Sequence, residues 1–139
     1  MIFVHTGAWI ALSDKSDQYH NSAVEIYKAL KLKRERLLTT DHVIDETATR
    51  LRYDANHGVA VRFLDLIDKS EKAGILALVR IDESIFKDAT AVFRKYDTVV
   101  LSFTDCTSFA VCQKHYVNKA FAFDQHFEIV GISLCSELT

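Results

Sequence analysis

The sequence predicts an α/β fold in which a central, mostly parallel sheet of four to five strands is wound with helices on both faces. Three observations carry this expectation. Short β-type runs alternate from end to end with segments whose apolar residues recur at three- and four-residue steps. Proline is absent and only four glycines occur, so the elements are joined by short polar turns. The chain has 139 residues, 49% of them hydrophobic, which suits one compact core and a single domain over 1–139.

In order, residues 2–4 form the first strand, with His5 at its end, and a short helix follows near 8–12. Residues 13–17 ("SDKSD") are a polar loop. A helix over 19–32 places Ala23, Ile26, Tyr27 and Leu30 on one side and ends in Lys28, Lys31, Lys33, Arg34 and Arg36, cations that suit a helix C-terminus. Residues 37–40 ("LLTT") form the second strand. Asp41 is placed to cap a helix through Val43, Ile44, Thr47, Ala48 and Leu51. A further helix covers 59–69, and 75–81 is the third strand. Asp82 or Ser84 starts a helix through Ile85, Ala89, Val92 and Phe93. Residues 99–101 are an apolar connector, and Thr104 is placed as the cap of a helix through Phe109 and Val111. Residues 120–123 form the fourth strand, 124–127 a turn or short helix, and 129–134 a last strand.

Composition excludes several classes. The net charge of −2 gives no general attraction to nucleic acid, so phosphate binding needs a local basic patch or a metal. No stretch approaches the ~20 apolar residues of a membrane span. Met1 leads straight into a strand without a basic leader, so no signal peptide is expected. The three cysteines, Cys106, Cys112 and Cys135, make neither a disulfide framework nor a zinc motif and are expected as small core residues of a cytoplasmic protein.

A parallel sheet brings the C-terminal ends of its strands to one edge, and acidic residues recur there. Asp124 follows the fourth strand, Asp105 lies in the first turn of the late helix, and Glu46 lies early in the helix after the second strand. Crowded carboxylates repel, and a hard divalent cation such as Mg²⁺ relieves that repulsion, activates water and steadies charge on a phosphoryl group. Each residue also has a plain structural use. Asp105 suits a helix N-terminus, Glu46 can pair with Arg50, and Asp124 can cap the short helix after it.

The stretches "FVHTGAW", "TTDHVIDETATRLR", "LSFTDCTSFAV" and "AFAFDQHF", spread over nearly the whole chain, together resemble PIN-domain proteins of the VapC toxin type. The resemblance implies a PIN-like three-layer α/β/α fold. It implies a Mg²⁺- or Mn²⁺-dependent endoribonuclease, an RNA substrate cut by metal-activated water without a covalent intermediate, a cognate antitoxin protein and a homodimer. It implies a metal site in which Glu46, Asp105 and Asp124 are ligands, with Thr6 and Ser108 as supporting polar residues. The segments 19–32 and 42–52 are candidates for the dimer face and the antitoxin groove, although their apolar stripes equally suit the core. Arg50, Arg52 and Lys119 are rim cations that can be RNA-facing or plain surface charge.

Position 5 departs from the family pattern, which has aspartate there. Imidazole favours softer ions than Mg²⁺, and a protonated ring repels a cation, so His5 is expected to impair hydrolysis. Three explanations stand: an inactivating substitution, a natural variant with lost or altered metal use, or a structural histidine that contacts Asp105 or Asp124 in place of the metal's charge. The last strengthens at mildly acidic pH, where imidazole carries its proton. A catalytically silent module that binds antitoxin or RNA is therefore the rival function. A haloacid-dehalogenase-like phosphatase needs aspartates where His5 and Gly7 stand, and no P-loop motif occurs. His126 is read as peripheral. His42, His57 and His115 have no zinc spacing, and Trp9, Phe103, Phe109 and Phe121 are read as packing residues.

Overall fold

In the computed structural model, which describes residues 1–135, five strands and seven helices alternate. They are β1 (Ile2–Val4), α1 (Thr6–Ser13), α2 (His20–Leu32), β2 (Leu37–Thr40), α3 (Asp41–Asp54), α4 (His57–Lys72), β3 (Leu76–Val79), α5 (Glu83–Lys95), α6 (Phe103–Lys114), β4 (Lys119–Phe121), α7 (His126–Ile129) and β5 (Ser133–Leu134). The strands make one sheet in the order β3-β2-β1-β4-β5. Every pairing is parallel, with Phe3 opposite Leu38 on one side and Ala120 on the other. The expected α/β architecture is therefore found, in its five-stranded form.

Connectivity decides where the site lies. The chain lays down β1, β2 and β3 in one direction, then returns past β1 to add β4 and β5. Right-handed crossovers put the first set of helices on one face and the later set on the other. Accordingly α1 to α4 pack among themselves and α5 packs on α6. Where the order reverses, between β1 and β4, the flanking connections leave to opposite faces and a crevice opens at the strand ends. His5 follows β1 and Asp124 lies three residues past the end of β4.

The core forms on both faces of β1 and β2, all of whose residues are buried, as central parallel strands require. Trp9 packs on Phe63 on one side, and Phe3 and Phe109 meet Phe127 on the other. Trp9, Phe109 and Phe121 fill the core as expected. Thr39 is buried but satisfied: its hydroxyl donates to the Val4 carbonyl (3.0 Å) and accepts from the Trp9 indole (3.3 Å). The three thiols are free and buried, and burial pushes Cys112 up to about 12.

Several boundaries differ from expectation. Thr40, not Asp41, caps α3, its hydroxyl accepting the Val43 N–H at 3.0 Å. Thr40 is the extended last residue of β2 and already occupies the half-helical position, so Asp41 falls inside the helix. The Asp41 Oδ1 accepts the N–H of His42 at 3.0 Å and that of Ile81, two residues past the end of β3 at Val79, at 3.0 Å. Ser102, not Thr104, caps α6 through a capping box with Asp105. Thr104 lies in the first turn, where its carbonyl accepts the Thr107 hydroxyl. Asp82 rather than Ser84 caps α5. The run 129–134 divides: Ile129 closes α7, Gly131 turns the chain at φ 81°, and only Ser133–Leu134 pair as a strand.

Candidate metal centre and its cleft

Three carboxylates reach this crevice by separate routes. Asp105 is third in α6, where the capping box locks it: the Ser102 hydroxyl accepts its N–H at 2.9 Å, and its Oδ2 accepts the Ser102 N–H at 3.0 Å. Asp124 sits in the turn before α7, its Oδ1 accepting the N–H of His126 at 2.8 Å. Glu46 projects from the second turn of α3. All three line one cleft of about 360 Å³, together with His5, Thr6, Asp17, Tyr19, Arg50, Ser102 and Phe123. No Glu46–Arg50 ion pair forms among the described residues.

His5 is held by both ring nitrogens. Its Nε2–H donates to Oδ1 of Asp105 at 2.8 Å, and its Nδ1 lies 3.2 Å from the Ser108 hydroxyl. Asp105 and Ser108 are three apart on α6 and therefore share a face. A carboxylate only accepts, so Nε2 carries hydrogen in either state. A neutral ring accepts from Ser108 at Nδ1, and a protonated ring donates to it. The edge of the His5 ring meets Phe127 at 5.0 Å, and His5 and Ser108 are buried. The order Ser108–His5–Asp105 superficially matches a nucleophile relay, but a hydroxyl with no exposure cannot reach a polymer substrate. Its use here is to orient His5. The contact expected of a structural histidine is thus made to Asp105.

Burial by itself raises the pKa of Asp105. The His5 hydrogen bond and charge, the Ser102 N–H and the nearby His126 outweigh burial and hold its carboxyl below the ordinary range. Asp105 is therefore an anion even with its side chain 10% exposed.

His126, read as peripheral in the sequence, belongs to the centre. Its Nδ1 is 3.0 Å from Oδ2 of Asp124 and 3.6 Å from Oδ2 of Asp105. That nitrogen is shielded from solvent and makes no aligned hydrogen bond. The signal was present: Asp124 and His126 are two apart across a tight turn, and the backbone N–H of His126 bonds Asp124, so both side chains point one way. Ligand atoms of Asp105, Asp124 and His126 all lie within 4.8 Å of one another. Two carboxylates and one imidazole nitrogen fit a divalent cation. Thr6, 1% exposed, lines the cleft, and its hydroxyl is buried without a hydrogen-bond partner. Glu46 lines the cleft but stands outside that close group. Of the rim cations, Arg50 lines the cleft, whereas Arg52 and Lys119 do not.

Comparison with known proteins identifies the family. Residues 2–132 match the PIN domain family. A 23S rRNA-specific endonuclease, VapC20 of Mycobacterium tuberculosis, is 30% identical over 131 residues, covering 94% of this chain and 95% of that one. A VapC ribonuclease of Archaeoglobus fulgidus is 30% identical over 132 residues, covering 93% and 80%. The crystal structure of M. tuberculosis VapC20, described as a sarcin-ricin loop cleaving toxin, superposes with a TM-score of 0.85 at 28% identity, over 98% of this chain and 99% of that one. The chain belongs to the PIN-domain family, among its VapC-type toxin ribonucleases.

Proposed function

We propose that this chain is the toxin component of a type II toxin–antitoxin pair, built to hydrolyse RNA phosphodiester bonds in the cleft at the β1/β4 crevice. The observation that carries this reading is the convergence of Asp105, Asp124 and His126 at the point where the sheet order reverses. Asp105 and Asp124, joined by His126 and with Glu46 in the same cleft, would hold Mg²⁺ or Mn²⁺. Bound there, such an ion lowers the pKa of water and offsets charge on the phosphoryl group. Ser102 and Ser108 act through others: the first fixes the Asp105 backbone, the second fixes the His5 ring. Thr6 offers its buried hydroxyl to the cleft. Arg50 is the cation placed to meet the RNA backbone. A small antitoxin and a second copy of the chain are the protein partners, in the cytoplasm. No helix among the described residues is long and apolar enough to cross a membrane.

His5 favours a second reading beside the first. Where the family places an aspartate, this chain places an imidazole that occupies Oδ1 of Asp105. A carboxylate so occupied suits a silent module that retains antitoxin or RNA binding, and it would reduce hydrolysis by this chain. The paired test measures cleavage of structured RNA with Mg²⁺ or Mn²⁺ by this chain and by His5→Asp. Cleavage appearing or rising in His5→Asp, and abolished by adding Asp105→Asn, supports an impaired nuclease. Equal failure of both proteins on ribosomal RNA supports the silent module.

A further inference from the structure

Beside the carboxylates, Tyr19 and Phe123 lie face to face. Their ring centroids are 4.6 Å apart and their planes 3° from parallel. Both rings line the cleft that holds Glu46, Arg50, Asp105 and Asp124. Phe123 immediately precedes Asp124, and its ring meets Phe121 edge-on at 6.0 Å, so it is anchored to the buried end of β4. Tyr19 is the outer ring and is 43% exposed.

Tyr19 is held in place rather than left loose. Asp17 Oδ1 accepts its N–H at 2.9 Å, and its carbonyl accepts the Ala23 N–H at 2.9 Å, fixing it at the start of α2. One face of its ring is covered by Phe123, and no other aromatic ring packs on it among the described residues. A fixed, half-open aromatic ring in an otherwise polar, acidic cleft is not explained by core packing. Nor does a metal centre need it. Unpaired nucleobases are the ligands that such a surface takes, because every base has a π-face and single-stranded RNA is recognised by stacking on aromatic side chains.

We propose that Tyr19, backed by Phe123, is a base-stacking platform that seats one unpaired nucleobase of single-stranded RNA, so that the neighbouring phosphodiester lies at the divalent ion that Asp105, Asp124 and His126 would hold. This rests on the ribonuclease reading and adds to it a positioning residue and a substrate requirement. The nucleotide beside the bond that is cut must be unpaired, since a base within a duplex cannot leave its stack to lie on Tyr19 without first being flipped out.

The test is equilibrium binding of a fluorescein-labelled single-stranded RNA to the whole chain with Ca²⁺ present, read by anisotropy. A matched strand with abasic sites through its middle serves as comparison. Tyr19→Leu should bind the intact strand about tenfold more weakly, while Tyr19→Phe, which keeps the ring, binds like the unaltered chain. The unaltered chain should lose a similar factor on the abasic strand, a comparison that needs no variant to fold. Tyr19→Leu and the unaltered chain should then bind the abasic strand alike. Equal binding of intact and abasic strands by the unaltered chain overturns the platform and leaves the ribonuclease reading standing. Absence of any RNA binding overturns both.

Discussion

Nε2 of His5 and Oδ1 of Asp105 lie 2.8 Å apart, in a buried pocket at the one place in the sheet where the strand order reverses. This contact sets the behaviour of the site. It ties the end of β1 to the first turn of α6, and it uses one oxygen of a carboxylate of the proposed metal site. Two roles, a buried hydrogen bond to His5 and a place in the proposed metal site, therefore meet at Asp105.

His5→Asp should exchange the first property for the second. Without divalent ion, the new carboxylate faces Asp105 with nothing between them, and melting temperature should fall by several degrees, the effect of about 1–3 kcal/mol. Millimolar Mn²⁺ or Mg²⁺ should recover that loss in His5→Asp and raise the unaltered chain much less. Thermal unfolding with and without the ion decides this. Equal shifts in both proteins would show that position 5 lies outside the ion's reach.

Asp105→Asn leaves His5 with a neutral partner. At neutral pH the loss should be about 1–3 kcal/mol in denaturant unfolding, the usual effect of disrupting a buried charge-assisted bond. The pH dependence has a definite sign. Asp105 has its pKa lowered by folding, so its contribution is present above the ordinary value of 3.8 and is lost as pH falls through the depressed one. The gap between the unaltered chain and Asp105→Asn should hold down to about pH 4 and close below it. A gap that widened in acid would reverse the sign argued here.

His126→Ala removes the nitrogen donor of the candidate centre. Affinity for Mn²⁺ or Co²⁺, measured by calorimetry, should fall about tenfold or more, and affinity for Mg²⁺ by less, because imidazole suits the softer ions. Loss of the same factor for all three ions would mean that the His126 ring acts only through its contact with the two carboxylates and not as a ligand.

Ser102→Ala and Thr104→Ala separate the two possible caps of α6. The first breaks the capping box and should cost about 1 kcal/mol. The second removes a hydroxyl that makes no cap and should cost no more than about 0.5 kcal/mol. Urea unfolding of both variants checks the pair. Because Ser102 also fixes Asp105, Ser102→Ala should weaken metal binding as well, whereas Thr104→Ala should not.

Local patterns were legible where one element carries its own signal. The three-layer order follows from strands alternating with amphipathic helices, and the first two strands were read to the residue because they are buried runs bounded by polar turns. Asp105 and Asp124 were recognisable from their places after a cap and after a strand. Boundaries differed where two neighbouring residues could each serve as a helix cap. Thr40 takes the cap of α3, and the Asp41 carboxylate, one residue inside the helix, reaches the N–H of Ile81 past β3. Ser102 displaced Thr104 because its reciprocal partner, Asp105, lies three residues on.

The sequence by itself determined the parallel sheet and the presence of carboxylates at the strand ends, since these depend on periodicity and on residues near in the chain, and its four motifs carried the resemblance to the family. The tertiary structure decided the partners: that His5 bonds Asp105 rather than Asp124, and that Ser108, His126 and the Tyr19–Phe123 pair stand beside them. His5 and Asp105 are 100 residues apart, and His5 and Ser108 are 103 apart. Their meeting depends on β4 returning to lie beside β1, a pairing that no local pattern encodes. The same return brings His126 beside Asp105 and sets Tyr19 against Phe123. Chain proximity identified the donors, and strand order chose the partners.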